Sequence, residues 1–334
     1  MSGMSLRRMS RRGWCWLGAI LPLALLVSVV GAQAQTYPDK PIKLVIPYAV
    51  GGSTDLTGRM LARSLSDRLG QPIVVESRPG AGGSVGHEFV AKSSADGYTL
   101  LFSAAGPLTV TPHIYSKLGY DPVKAFEPVT LVATQPLLLV IKPSLQAQSV
   151  ADLVRLAKSQ PGKLSYGSFG YGSAAHLAGE YFKMLAGVDI VHVPYKGSAP
   201  ALTDLMAGQF DLMFDVFSTS APLVEGDKLR AIAITSNDRS PQFPNVPTMQ
   251  QAGVKGFEAG TWFGLLVPTG TPRPIIDALS VATNKSLEEK EVRDNLASQG
   301  ATIAGGTPEQ FGQFFQAEYE KWQKIVKLAG ITPN

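Results

Sequence analysis

Lys43-Leu-Val-Ile-Pro47-Tyr-Ala-Val-Gly51-Gly52-Ser53-Thr54-Asp55 is the stretch on which the fold turns. Leu44, Val45 and Ile46 read as a short buried strand, and Pro47 halts it because proline has no N–H to give to a ladder. Two glycines follow, then polar residues suited to cap a helix. Leu56, Met60, Leu61, Leu65 and Leu69 keep one apolar face as far as Gly70, a helix-ending glycine with Pro72 beyond it. A strand ends, the backbone turns without Cβ bulk, and a helix begins. Free backbone N–H groups and the positive end of a helix dipole converge at such a point. That is a pocket for an anion with no obvious catalytic side chain in it. The plainer alternative is a strand-to-helix turn whose glycines serve close packing.

Phosphate is the usual anion for such a loop, but its motifs are missing. The chain has no G-x-x-x-x-G-K-[ST], and Val85 stands where G-x-G-x-x-G would need a third glycine after Gly80 and Gly82. Gly170-Tyr-Gly172-Ser-Ala-Ala175 fits the looser form ending in Ala, without an acidic residue about 20 positions on. With no Lys, Arg or metal ligand in the first loop, a carboxylate suits it better than a multiply charged phosphate.

Arg7, Arg8, Arg11 and Arg12 precede an apolar run over 14–30 that ends in Ala32-Gln33-Ala34. This is the pattern of a signal peptide over 1–34, cleaved after Ala34 on export to the periplasm. An uncleaved anchor would need a longer apolar core. Ser10-Arg11-Arg12 is a fragment of a twin-arginine pattern and leaves the export route open. Residues 1–34 hold four arginines and no acid, so 26 basic residues face 26 acidic ones afterwards and the net charge is zero. Nucleic-acid binding thereby loses its support. Cys15, the sole cysteine, leaves too, so hydrophobic cores hold the remaining 300 residues, enough for two domains.

Further on, strand-like runs alternate with helical segments: Ile73 to Glu76, Tyr98 to Phe102, Leu164 to Tyr166, Ile190 to Val193, Asp211 to Phe214 and Leu229 to Ile234. The alternation predicts parallel sheets covered on both faces. Residues 129–141 read as one extended stretch interrupted near Pro136, and Ser149 with Asp152 as a capping box. Trp262 to Val267 is a further strand, 274–298 a long helical stretch, and Pro308 the N1 residue of a last helix ending at Gly330. No repeat or linker divides the chain, so two domains would be crossed more than once, with 129–141 and 257–267 as the candidate crossings.

A second glycine constellation, Ser168-Phe169-Gly170-Tyr171-Gly172-Ser173-Ala-Ala-His176, repeats the logic of the first. Ser173 is a good N-cap with His176 one turn inside. Two anion-ready turns, one in each half, suggest jaws closing on one ligand. Lys196, after Tyr195 and before Gly197, either pairs with a carboxylate or lies on the surface. Asp215 either orients a ligand or caps the helix that follows.

These segments, with Arg78-Pro-Gly-Ala-Gly-Gly83, Asp96-Gly-Tyr-Thr-Leu100, Tyr120-Asp-Pro122, Val193-Pro-Tyr-Lys-Gly197, Asp204-Leu-Met-Ala-Gly208 and Val246-Pro-Thr248, carry a resemblance along almost the whole mature chain. It resembles the extracytoplasmic solute receptors of the tripartite tricarboxylate transporter family, the Bug receptors. The resemblance implies an α/β type II periplasmic binding protein fold, two α/β domains joined by a hinge of crossing strands. The expected division is 35–130 with 250–334 as one domain and 131–249 as the other, the ligand cleft between them. It also implies that the first loop and the second-domain glycine turn grip a ligand carboxylate through backbone amides and ordered waters. The ligand-binding set expected here is Tyr48, Ala49, Gly51, Gly52, Ser53 and Asp55; Ser103, Ala104 and Thr134; Ser168, Phe169, Gly170, Tyr171, Ser173 and His176; and Tyr195, Lys196, Gly197 and Asp215.

Two departures stand out: Val50 replaces the family's usual proline before the glycine pair, and Ala125 precedes Phe126 where Asp is usual. Phe169 and Tyr171 occupy positions that vary, and an aromatic or long apolar acid would suit them if both face the cleft. Enzyme readings find little. There is no G-x-S-x-G elbow, and Ala91 stands where a zincin helix from His87 needs its second histidine. A hydrolase built on Ser173 and His176 would place nucleophile and base on one helix turn, where capping is more natural. The expectation is a monomeric periplasmic receptor for a small carboxylate, without cofactor, metal or nucleic acid. Its partner is a membrane transporter or, alternatively, a membrane sensor protein.

Overall fold

The computed structural model describes residues 37–48, 50–195, 197–328 and 330. The signal-peptide reading of 1–34, Ala49 and Lys196 lie outside the described residues. The fold is that of the unit Lys40–Asn334. No helix among the described residues is long and apolar enough to cross a membrane.

The quoted stretch forms β1 (Ile42–Ile46), the turn, and α1 (Ser53–Leu69). β2 (Ile73–Ser77), α2 (Ser84–Ala91) and β3 (Thr99–Ala104) complete a βαβαβ unit in which β1 lies between β2 and β3, parallel to both. A π-helical turn over 106–110 and the short α3 (Thr111–Ile114) lead to β4 (Phe126–Ile141), then α4 (Val150–Ser159). The same unit then recurs as β5 (Ser165–Ser168), α5 (Ala174–Ala186), β6 (Val191–Pro194), α6 (Ser198–Met206) and β7 (Leu212–Val216), with β5 between β6 and β7 and parallel to both. α7 (Phe217–Glu225), β8 (Arg230–Ile234), β9 (Gly260–Pro268), α8 (Arg273–Leu287), α9 (Lys290–Ser298), β10 (Thr302–Gly305) and α10 (Pro308–Leu328) finish the chain.

The sheet is mixed rather than parallel throughout. Its order is β2-β1-β3-β9-β4-β7-β5-β6, with β8 and β10 also on β4. β9 is antiparallel to β3 and β4, and β4 is antiparallel to β7, β8 and β10. β4 belongs to both half-sheets: Phe126 to Pro136 pair with β9, and Leu137 to Ile141 with β7 and β8. The expected interruption at Pro136 does not occur. Pro136 sits where the strand exchanges partners, opposite Gly260, and the irregularities fall on either side of it, at 128–130 and 131–133 against β9 and at 139–140 against β8. A Cβ on Gly260 would lie 2.6 Å from the Gln135 carbonyl oxygen, so glycine is needed for this approach.

The cores follow the same division. Leu101, Leu131, Trp262 and Phe311 share one cluster, and Leu139, Tyr166, Phe182 and Phe257 another. A third, with Leu138, Leu202, Met213 and Phe217, covers the other face of the second half-sheet. The segment 257–267 therefore passes between cores, as the sequence suggests. α10 does so as well: Phe311 and Phe315 pack in the first cluster, Trp322, Ile325 and Val326 in the second.

Three expectations change. The buried face of α1 is made by Thr54, Thr57, Gly58, Leu61, Ala62 and Leu65, while Leu56 is exposed. Small residues win because α1 lies close on the sheet: a Cβ at Gly58 would meet Ile46 Cδ1 at 2.6 Å. The stretch 274–298 is two helices, broken where Glu289 turns extended and its carboxylate binds Ser64 (2.7 Å) and Arg68 (2.6 Å) of α1. The sequence gives no sign of β10; four residues, the last of them the first of two glycines, give little pattern to read. The capping box stands, with the Asp152 N–H donating to Ser149 Oγ (3.2 Å).

Candidate functional site

Each βαβαβ unit carries its glycine turn after its first strand. In the first turn Gly51 has φ +93°, a left-handed conformation that favours glycine. Gly52 is the extended N-cap residue of α1 and makes no side-chain cap. The Asp55 carboxylate lies behind the turn, almost fully buried, and accepts the Gly51 N–H (3.0 Å) and the Arg59 Nε–H (2.9 Å). Burial alone would raise this carboxyl, but Arg59, Gly51 and Ser77 outweigh it and hold it below the usual range. Gly51 therefore has its partner within the loop. The amides left for a ligand are those at the start of α1, Ser53 and Thr54, which have no intrahelical acceptor.

Tyr48 flanks this turn, with Ser103 bonded behind it. Ser103 is buried and its Oγ lies 2.9 Å from His87 Nε2, while His87 Nδ1 faces the Gly83 carbonyl at 2.9 Å. The carbonyl fixes the tautomer: Nδ1 holds the proton and Nε2 accepts from Ser103. Burial pushes His87 down to about 4, against a smaller upward pull from Gly83. Burial foremost, then Tyr120, pushes the Tyr48 hydroxyl up, and its bond to Ser103 offsets part of this.

The second turn is tied more completely. Ser173 caps α5, accepting the His176 N–H (3.3 Å) and donating to the Gly170 carbonyl (2.6 Å). The Gly170 N–H donates to Ser168 Oγ (3.2 Å), and the Gly172 N–H to His176 Nδ1 (3.2 Å). Gly170 and Gly172 have φ of +138° and +73°. The amides of Ala174 and Ala175, the first two of α5, have no intrahelical acceptor.

Both turns border one cavity of about 340 Å³. Of the expected residues, Tyr48, Ser53, Ala104, Phe169, Gly170, Tyr171 and Ser173 line it. Asp55, Ser103, Ser168 and His176 stand behind the lining and hold it. The Tyr195 hydroxyl donates to Asp204 (2.9 Å), and Gly197 is the N-cap residue of α6. Asp215 is wholly buried and does not line the cavity; it accepts from Ser198 Oγ and Thr219 Oγ1, both at 2.6 Å, and from the backbone of Val216, the N-cap residue of α7. Burial pushes its carboxyl up to about 6, against the bonds from Ser198, Thr219 and the Val216 backbone. Thr134 borders a separate cavity of about 560 Å³, larger but touching neither glycine turn.

Sequence reasoning missed the apolar wall: Val110, Ile114, Leu177, Val216, Phe263 and Trp322. These come from elements far apart in the chain, whereas the two glycine turns give local signals. None of the described lining residues is Asp, Glu, Lys, Arg or His. No cluster of metal-ligating side chains occurs among the described residues. Across the cavity Ile114 rests on the second turn, where a Cβ at Gly172 would lie 2.2 Å from its Cδ1.

Comparison with known proteins gives a consistent result. A family model described as the tripartite tricarboxylate transporter family receptor matches residues 57–331. Protein BugT of Bordetella pertussis is 41% identical over 299 residues, covering 89% of this chain and 92% of the relative. The structure of Rpa4515 of R. palustris with adipate superposes with a TM-score of 0.80 at 38% identity, covering 89% of this chain and 100% of that one. MatC of Rhodopseudomonas palustris with bound malate gives 0.75 at 33% identity, covering 87% and 100%.

Proposed function

The chain belongs to the tripartite tricarboxylate transporter receptor family, of the Bug type, and on that premise we propose that the cavity between its two glycine turns holds the ligand. A carboxylate-binding solute receptor is what this family supplies, a periplasmic protein that serves a transporter and is not an enzyme. The observation that carries the site is the repeated unit. Two βαβαβ halves bring the N-termini of α1 and α5 to one cavity with no charged lining among the described residues.

The chemistry follows from those parts. One carboxylate sits against the amides of Ser53 and Thr54 on one side and of Ala174 and Ala175 on the other, in part through waters. Its charge is met by helix ends rather than by a cationic side chain. The rest of the ligand lies against Ile114, Leu177, Phe263 and Trp322, with Phe169 and Tyr171 at the turn. The ligand is therefore an acid with an apolar or aromatic body. The lobes are 35–130 with 250–334 and 131–249, hinged where β4 and β9 cross, and the receptor works as a monomer. Cleavage after Ala34 releases it to the periplasm, and the closed form is what the membrane transporter recognises.

A thermal-shift screen of the mature protein tests this, with benzoate, hexanoate, adipate, malate and citrate as probes after unfolding and refolding to strip any carried ligand. An acid at 100 times its Kd should add about 2.7 kcal/mol. The expected hits are benzoate or hexanoate ahead of citrate, with the shift reduced by Phe169→Ala. No shift with any acid would sink the assignment of the cavity. A preference for citrate would sink the apolar body.

A further inference from the structure

His176 and His192 stack face to face beneath the second turn, ring centroids 4.1 Å apart and planes inclined by 27°. Tyr171 leans on both, at 4.5 and 5.5 Å. His176 Nδ1 accepts the Gly172 N–H at 3.2 Å. His192 Nε2 lies 2.7 Å from Ser168 Oγ, and that oxygen accepts the Gly170 N–H at 3.2 Å. The pair thus holds both glycine amides of the turn, one directly and one through Ser168. An imidazole nitrogen can accept a hydrogen bond only while it carries no proton.

We propose that the stacked, neutral His176–His192 pair is the positioning device of the second anion turn, and that protonation of His176 at Nδ1 releases the turn and the acid it holds. The proposal rests on the reading of this turn as half of the carboxylate site. It assigns His176 a role other than touching the ligand: by occupying the Gly172 amide it fixes the turn so that the amides at the start of α5 face the cavity. On protonation Nδ1 gains a hydrogen, the Gly172 N–H loses its acceptor, and two donors face one another.

The surroundings keep the rings neutral. Lys183 and Glu180 face them from α5 itself, His192 from β6, Tyr166 from β5 and Tyr171 from the turn. The Tyr166 hydroxyl donates to Glu180 (2.7 Å), and Lys183 pairs with the same carboxylate (3.0 Å). Burial foremost, then Lys183, pushes His176 down to about 4. Burial, His176 and Lys183 do the same for His192, also to about 4, against an upward pull from Glu180. Two positive rings stacked at this distance repel, so the first proton opposes the second.

The test uses the full mature chain with ¹⁵N-labelled histidine and glycine, followed by NMR from pH 7 to 4, beside calorimetric titration with benzoate as probe. His176 should show the Nε2–H tautomer, and the Gly172 amide resonance should move with its titration. His176→Leu should weaken benzoate roughly tenfold at pH 7, the weight of one hydrogen bond at a buried site. His176→Asn, whose carboxamide oxygen can take the Gly172 N–H but does not titrate, should restore most of that affinity. It should also hold affinity to lower pH than the wild-type chain, benzoate's own protonation being common to both. A Gly172 amide indifferent to the titration, or an Asn variant as weak as Leu, would overturn the proposal. If benzoate binds no variant while the NMR behaves as stated, the ligand reading fails and the positioning role stands.

Discussion

Replacing Gly172 with alanine adds one carbon at the contact between the two halves. Gly172 has φ +73°, and holding an alanine there costs about 1 kcal/mol whether or not ligand is bound. The new Cβ would also lie 2.2 Å from Ile114 Cδ1, while Cγ1 is at an ordinary 3.7 Å. Carbon atoms rest about 3.5–4.0 Å apart, so the clash is with one methyl group. Overpacking of this kind costs about 1–3 kcal/mol. Ile114 follows the first βαβαβ unit and Gly172 lies within the second, so the halves can relieve the overlap by parting. The steric cost then falls on the closed, liganded form, and affinity should drop roughly 5- to 150-fold. The assay is calorimetric titration of Gly172→Ala, Ile114→Val and the double variant with the best acid from the screen. Ile114→Val deletes Cδ1, so the double variant should recover the steric share and keep only the backbone cost, visible as a lowered Tm. Equal affinity loss on either Ile114 background would refute the cross-cleft contact and leave the strain in the turn itself.

Gly58→Ala should lower stability by about 1–3 kcal/mol in urea unfolding, because its Cβ would meet Ile46 and Phe102 at 2.6 and 2.8 Å; an unchanged midpoint would show that α1 lifts off freely. Asp55→Asn puts an amide against Arg59 and weakens the anchor of Gly51, so folding should lose about 2 kcal/mol, typical of a charged hydrogen bond. The folded carboxyl is held below the ordinary 3.8, so wild-type stability at pH 7 should exceed that variant's by more than it does at pH 3, where the unfolded chain takes up the proton first. Acid should also act through the histidines. His87, His176 and His192 are held near 4 against 6.5 when unfolded, so the unfolded chain binds more protons between those values and stability falls as pH falls. For His87, wholly buried, the full effect is about 3 kcal/mol. Asp215, raised from 3.8 to about 6, works the other way over a similar window, and three rings outweigh it. Urea midpoints that stay level or rise from pH 7 to 4.5 would contradict the burial of these rings.

Much of this was legible in the sequence because turns and caps are local. Gly51-Gly52 after a short apolar run, Ser173 before Ala174, and Ser149 with Asp152 each state their geometry within a few residues. The family's fold was legible too, and 129–141 and 257–267 each place residues in both of the first two cores. Side-chain direction was not. Leu56 shares a helical period with Leu61 and Leu65 yet is exposed, because the sheet comes so close to α1 that Gly58 and Thr57 fill the contact. The apolar wall needed residues from α3, β7, β9 and α10, which no spacing rule joins. His176 was read as a lining residue, and its ring instead turns back onto the Gly172 amide. The turns recur visibly, since Val50-Gly-Gly-Ser53 and Gly170-Tyr-Gly-Ser173 both end in Gly-Ser, but the repeat of the whole βαβαβ unit lies in strand order and leaves no sequence match.

The exchange point in β4 has a mechanical consequence. Pro136, where the strand leaves β9 for β7 and β8, has no N–H, and the residue opposite it, Gly260, has no side chain. A joint made this way can twist without breaking a ladder donor at Pro136 or dragging a side chain through its neighbour at Gly260. The balance between open and closed forms is then left to contacts far from the pivot, such as Ile114 on Gly172, and to whatever fills the cavity beside them. On the proposed two-lobed reading, the pivot contributes little to the restoring force and the jaws contribute most of it.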